Sequence, residues 1–163
     1  MLGKPTHIQF LRVRIGTDNE AGFTLIELLA TMLILGILAA IALPAFFSQK
    51  EKAGDAKAKA YAHVAQVAME TYATDNGNYE GADKAALVAI EPILSSAAGL
   101  TVAGPGEAED PTATGYRVSV DGFGGQWFAV DNNAGTFTFP CETGGKGGCP
   151  DTGAEGGLGE WGG

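Results

Sequence analysis

Three hydrophobic patterns divide the chain. Residues 1–22 are polar and mixed, with no apolar face of useful length. Phe23 to Phe47 is an apolar run of 25 residues whose only formal charge is Glu27. At a rise of about 1.5 Å per residue, such a helix measures roughly 37 Å. A bilayer's hydrocarbon core needs only about 20 residues, so the pattern predicts a membrane-spanning helix. Pro44 removes a backbone donor and is expected to kink or weaken the helix near Ala40. Gly36 lowers helix propensity further. A membrane helix tolerates both residues, yet they mark a stretch able to loosen.

Beyond residue 47 the pattern becomes periodic. Ala53, Ala56, Ala60, Val64, Val67 and Thr71 recur at spacings of three and four, and Tyr61, Ala65, Ala68 and Tyr72 broaden the stripe. The helix is therefore expected to continue to about Asp75, where Asp75-Asn76-Gly77 supplies turn chemistry. Gly54 is its weak point. This second half is amphipathic, and the stripe from Ala53 to Thr71 is expected to dock the C-terminal part of the chain.

A short helix is predicted to open at Asp83 and to be interrupted at Pro92, followed by a loop over 103–115. Three strands are predicted at Tyr116–Val120, Gln126–Val130 and Thr136–Phe139. Residues 131–135 form a plausible hairpin turn between the last two, and 121–125 join the first two. From Gly144 onward ten of twenty residues are glycine, a composition that reads as a mobile tail beyond the cysteine loop. The fold class is α+β: a long N-terminal helix against a small antiparallel sheet. Its divisions are 1–22, the 23–47 span, the 48–75 amphipathic half, the 76–115 αβ-loop region, the 116–140 sheet, and 141–163 as cysteine loop and tail.

Charge adds direction to this layout. The chain has 163 residues and a net charge of −9. Lys4, Arg12 and Arg14 outweigh Asp18 and Glu20 in the first 22 residues, leaving the rest strongly acidic. Positive charge ahead of the span places the N-terminus in the cytoplasm and the bulk outside. An acidic surface repels phosphate backbones, so direct nucleic-acid binding is not expected. The two cysteines, Cys141 and Cys149, lack zinc-site spacing. Eight residues apart and flanked by Gly and Pro, they read as a local disulfide in an exported domain.

Other candidates weigh less. The acidic stretch 107–111 and Asp131-Asn132-Asn133 lack EF-hand spacing, and Gly144–Gly148 lacks the strand–loop–helix context of a phosphate loop. His7 and His63 have no visible triad partner, and His63 reads as helix-surface decoration. Trp127, Phe128, Phe137 and Phe139 read as core. Alternation sends Trp127 and Phe128 to opposite faces, leaving one available for a subunit contact. No catalytic constellation, metal site or cofactor motif is visible, so no enzyme is expected.

Glu27 is the residue that a simple anchor does not require. A carboxyl group in a membrane span is a functional candidate by default, and residues 23–47 contain no Lys, Arg or His to pair with it. Its partner is expected from another molecule or from processing. Cleavage between Gly22 and Phe23 creates an ammonium one helical turn away, within reach of Glu27 of the same chain or a neighbour. Such a buried pair fixes register, because any slip leaves both charges unpaired.

The stretch Gly22-Phe23-Thr24-Leu25-Ile26-Glu27-Leu28-Leu29 resembles the class III signal of type IV pilins and pseudopilins. Gly36 and Pro44 fall where those helices commonly carry Gly and Pro. The resemblance is strong over about residues 20–50, reaches to about 80, and is architectural beyond. It implies cleavage after Gly22 by a prepilin peptidase and N-methylation of Phe23. It also implies pairing of Glu27 with a neighbour's Phe23 amine, and loosening between Gly36 and Pro44. The implied partners are further copies of the chain in a helical homopolymer, an assembly platform protein and its ATPase, with the membrane as host before assembly. The precursor is expected in the cytoplasmic membrane and the product in a surface filament. The leader departs from many relatives in carrying Asp18-Asn19-Glu20 close to the cut. The C-terminal part lacks the Asp-Pro-Trp-Gly type segment of major secretion pseudopilins with their calcium site, which favours a pilin. A pseudopilin of a type II secretion or DNA-uptake system is the alternative. A monomeric membrane-anchored binding protein is the third reading.

Overall fold

The computed structural model describes residues 22–106, 108–151 and 157–162. Expectations for the leader, including Lys4, His7, Arg12 and Arg14, lie outside the described residues. The chain divides into two compact units, residues 1–40 and 41–163.

Helix α1 runs from Leu25 to Asn76 without interruption at Gly36, Pro44 or Gly54. Within the first unit its side chains bury nothing. The apolar window is long enough to cross a membrane, with a mean hydropathy of 2.5 and none of its residues buried. The helix ends one residue beyond the predicted Asp75. Gly77, in the left-handed region at φ 85°, donates its N–H to the Ala73 carbonyl at 2.8 Å. This is the αL cap that glycine supplies without steric cost.

The second unit is an α+β head. Helix α2 (Lys84–Ile90) starts as predicted, with the Asp83 carboxylate accepting from the Ala86 N–H at 2.7 Å. A short 3₁₀ turn begins at Pro92. The sheet contains β1 (Thr101–Ala103), β2 (Gly115–Asp121), β3 (Trp127–Asn133), β4 (Thr136–Thr138), β5 (Pro140–Cys141) and β6 (Gly159–Glu160). All pairings are antiparallel, in the order β1-β2-β3-β5-β6, with β4 also on β3. Val118 faces Val130 and Val120 faces Phe128 across β2 and β3. These residues with Tyr116 line the buried face of the sheet.

Three expectations need correction. First, the docked face of α1 is only partly the Ala53–Thr71 stripe: Ala65 and Ala68, which broaden it, are buried, and Tyr61 and Tyr72 pack against the core. Ala53, Ala56, Ala60, Val67 and Thr71 are exposed and Val64 is half-buried, whereas Asp55, Ala58, Ala62, Ala65, Ala68 and Met69 are buried. The apolar count went astray because alanine populates both faces and the true face includes a carboxylate. Second, β3 extends through residues assigned to the turn. The turn itself is Ala134-Gly135, both at positive φ (52° and 88°), the geometry of a tight two-residue hairpin. Third, the glycine-rich tail is ordered at 157–162: Cys141 pairs with Gly159, and Trp161 donates its backbone N–H to the Phe139 carbonyl at 2.9 Å. Two strands of two residues each carry no period to read. The strand β1, just ahead of the predicted loop, was invisible for the same reason.

Trp161 also reinterprets His63. The imidazole is exposed, yet it packs edge-on against the indole at a centroid distance of 4.9 Å, and the Trp161 Nε1–H donates to the Ala129 carbonyl at 3.1 Å. Phe128 is fully buried while Trp127, on the opposite face, lies beneath the Arg117 guanidinium at 4.9 Å. The expected alternation holds there.

Candidate assembly site

Gly22 and Phe23 stand exposed ahead of α1, and the Phe23 ring is 86% exposed. The helix starts at Leu25, which makes Thr24 its N-cap and Glu27 its third residue. The Thr24 hydroxyl and backbone N–H both donate to Glu27 Oε2, at 2.9 and 3.0 Å, and the Glu27 N–H donates back to Thr24 Oγ1 at 3.3 Å. This reciprocal arrangement is a capping box, which satisfies backbone donors that the first helical turn leaves without partners. The expectation that Glu27 must find its partner outside residues 23–47 or through processing is therefore incomplete. The Thr-x-x-Glu spacing was the overlooked signal, and it gives the carboxylate a second role in the same chain.

From Leu25 to Phe47 the apolar side chains point outward on all sides of the helix; Leu33 is 67% and Ile41 74% exposed. Gly36 has nothing within 4 Å of the place where a Cβ would sit. Pro44 lies within the continuous helix. Gly54 differs: a Cβ there would lie 3.0 Å from Phe123 Cβ, so its small size serves close packing.

The head carries polar contacts that hydrophobic periodicity does not show. Glu70 receives hydrogen bonds from the Tyr79 and Tyr116 hydroxyls, each at 2.8 Å. Burial first, then the adjacent carboxylate, pushes the Tyr79 pKa up to about 12 and moves Tyr116 further in the same direction. Asp55 is fully buried and accepts from the Phe123 N–H at 2.8 Å and the Gly148 N–H at 2.7 Å. One turn on, the Lys59 ammonium donates to the Gly148 carbonyl at 2.5 Å and lies over the Phe128 and Trp161 rings. Burial lowers the Lys59 pKa and the Asp55 charge opposes that shift. Cys141 and Cys149 are joined as a disulfide, as their spacing suggested. Among the described residues no group of three or more His, Cys, Asp or Glu is placed to hold a metal.

Residues 17–43 match the prokaryotic N-terminal methylation motif. The type IV wide pilus major component PilA4 of Thermus thermophilus is 32% identical over 120 residues, covering 73% of this chain and 87% of the relative. The chain belongs to the type IV pilin and pseudopilin family. Pseudopilin relatives match over shorter stretches. The type II secretion system core protein G of Escherichia coli is 36% identical over 63 residues, which is 39% of this chain and 43% of that protein. Its counterpart from Aeromonas hydrophila is 38% identical over 61 residues, 37% and 43% of the respective chains. No solved structure matches the chain. In this family setting, the uncovered apolar helix and the capped Glu27 form the candidate assembly site.

Proposed function

We propose that this chain is a structural pilin subunit, cut after Gly22, N-methylated at Phe23, and polymerised into a surface filament. The observation that carries the proposal is the apolar surface of residues 25–47, exposed on every side directly after the Gly22-Phe23 junction. Such a surface is stable in lipid before assembly. In a filament, neighbouring helices of the same kind bury it again.

Cleavage converts the Phe23 N–H into an ammonium, and Glu27 is the acid that answers it. Thr24 holds the carboxylate at the helix tip by its backbone N–H and hydroxyl. A second carboxylate oxygen remains for the amine of a neighbouring subunit, and the pair sets stagger between copies. The stretch from Gly36 to Pro44, poor in helix propensity and missing one backbone donor, is where the helix yields during packing. Prepilin peptidase, a platform protein and an assembly ATPase are the partners this reading requires. The precursor resides in the cytoplasmic membrane.

A pseudopilin in a secretion machine shares every N-terminal feature. The pilus reading is favoured by coverage, since the pilus relative is matched over 87% of its length and the secretion relatives over 43%. The test is mass spectrometry of subunits from sheared surface filaments, in wild type and in a Glu27→Gln variant. The expected result is a mature chain starting at N-methylated Phe23, with filament yield lost in the variant. A mature chain that keeps residues 1–22, or filaments unaffected by Glu27→Gln, overturns the proposal.

A further inference from the structure

Asp55 is a fully buried carboxylate on a helix face otherwise made of alanines and Met69. Burying an ionised group costs several kcal/mol unless hydrogen bonds and charge compensate. Its two oxygens are met by backbone N–H groups from two loops far away in sequence, Phe123 on Oδ1 and Gly148 on Oδ2. Three glycines form the walls around it. A Cβ on Gly122 would lie 2.5 Å from Asp55 Oδ1, one on Gly147 2.2 Å from Oδ2, and one on Gly148 2.9 Å from Asp55 Cβ. Side chains at these positions collide with the carboxylate, so the loops reach it only as glycine. Lys59 adds the counter-charge and holds the carbonyl of the same Gly148.

Gly147 and Gly148 belong to the loop closed by the Cys141–Cys149 bond, and Gly148 immediately precedes Cys149. The bond ties that loop to β5, which pairs with β3. We propose that the oxidised cysteine loop is a clasp whose backbone socket receives Asp55, making Asp55 the positioning residue that sets α1 on the head, and that disulfide formation closes it. In the closing step, the Cys141 and Cys149 thiols lose two protons and two electrons by thiol–disulfide exchange. The disulfide of a thiol oxidant becomes two thiols as the Sγ–Sγ bond forms. With the bond open, Gly148 is held by no crosslink and Asp55 loses one of its two amide partners. The grip on Phe123 then weakens too, because water admitted to the opened side of the carboxylate competes for it. The head thus completes its docking on α1 only in an oxidising space.

The test is amide hydrogen exchange on the full-length chain in detergent micelles, with and without a phosphine reductant, in wild type, Asp55→Asn and Asp55→Ala. Reduction of the wild type is expected to raise exchange at the Phe123 amide, 18 residues before Cys141, by about ten-fold or more. In Asp55→Ala the Phe123 amide is expected to exchange fast already, so that reduction adds nothing there. Asp55→Asn keeps the shape and one acceptor oxygen and should fall between the two. The wild-type comparison stands alone if the alanine variant does not fold. A rise confined to residues 141–149 on reduction, or an equal rise at Phe123 in wild type and Asp55→Asn, overturns the proposal.

Discussion

From Leu25 to Phe47 helix α1 carries large apolar side chains and hides none of them; from Asp55 to Met69 it carries mostly alanine and hides a whole face. Burial therefore runs opposite to side-chain size along one element. The reason lies in what each stretch packs against. In the head, Ala58, Ala62, Ala65 and Ala68 keep the helix surface low enough for Tyr116, Val118, Val120 and Phe128 of the sheet to fill the space between. Close packing there comes from small residues meeting large ones. The side chains of the earlier stretch are exposed, and its leucines and isoleucines suit lipid or a neighbouring helix. The contrast teaches that the first stretch is specified by what surrounds the molecule and the second by what the chain itself supplies.

The largest break in that contrast comes from paired truncations. Phe128→Ala removes a fully buried ring and is expected to cost the head about 3–5 kcal/mol. Leu33→Ala, in the uncovered stretch, should leave head stability within about 0.5 kcal/mol. Thermal unfolding of both variants in detergent reads the difference, and equal losses would refute the division.

Alkaline titration probes the head's polar contacts. Tyr79 keeps its proton in the folded head until about pH 12, while an unfolded tyrosine loses it near 10. Folded protein therefore binds more protons than unfolded protein in this window. Stability should fall as pH rises from about 10 to about 12. The effect is smaller than that of Phe128→Ala because solvent reaches part of Tyr79. A double Tyr79→Phe, Tyr116→Phe variant should flatten the decline, as followed by the denaturation midpoint against pH.

Thr24→Ala tests the other region. Removing the hydroxyl breaks two of the three capping-box contacts and should cost the helix tip about 1 kcal/mol. Faster exchange of the amides at 25–28, with head melting unchanged, is the expected outcome. The smallest effect belongs to Ala134, whose φ of 52° lies in the left-handed region. Ala134→Gly relieves that strain and should stabilise the hairpin by a few tenths of a kcal/mol. A loss of stability in chemical denaturation would show that the turn tolerates alanine without cost.

What the sequence determined by itself was the element set with a long period or a strong chemical punctuation mark. The apolar run, the continuous helix to the Asn76-Gly77 exit, the Asp83 cap before α2, and three strands with alternating faces all rest on interactions between near neighbours. The Cys141–Cys149 pair, eight residues apart, was legible for the same reason, and Gly22, Phe23 and Glu27 stand as candidates within the matched methylation motif. Only the tertiary structure decided which face of α1 docks. Alanines on either face would bury nearly the same apolar area if docked, so the choice fell to contacts across the fold: Asp55 with Phe123 and Gly148, and Glu70 with Tyr79 and Tyr116. The tail around Trp161 was decided there too, because two paired residues gain order only from the strand already waiting beside them. A buried carboxylate is costly until distant amides reach it, and no local pattern records where those amides will come from.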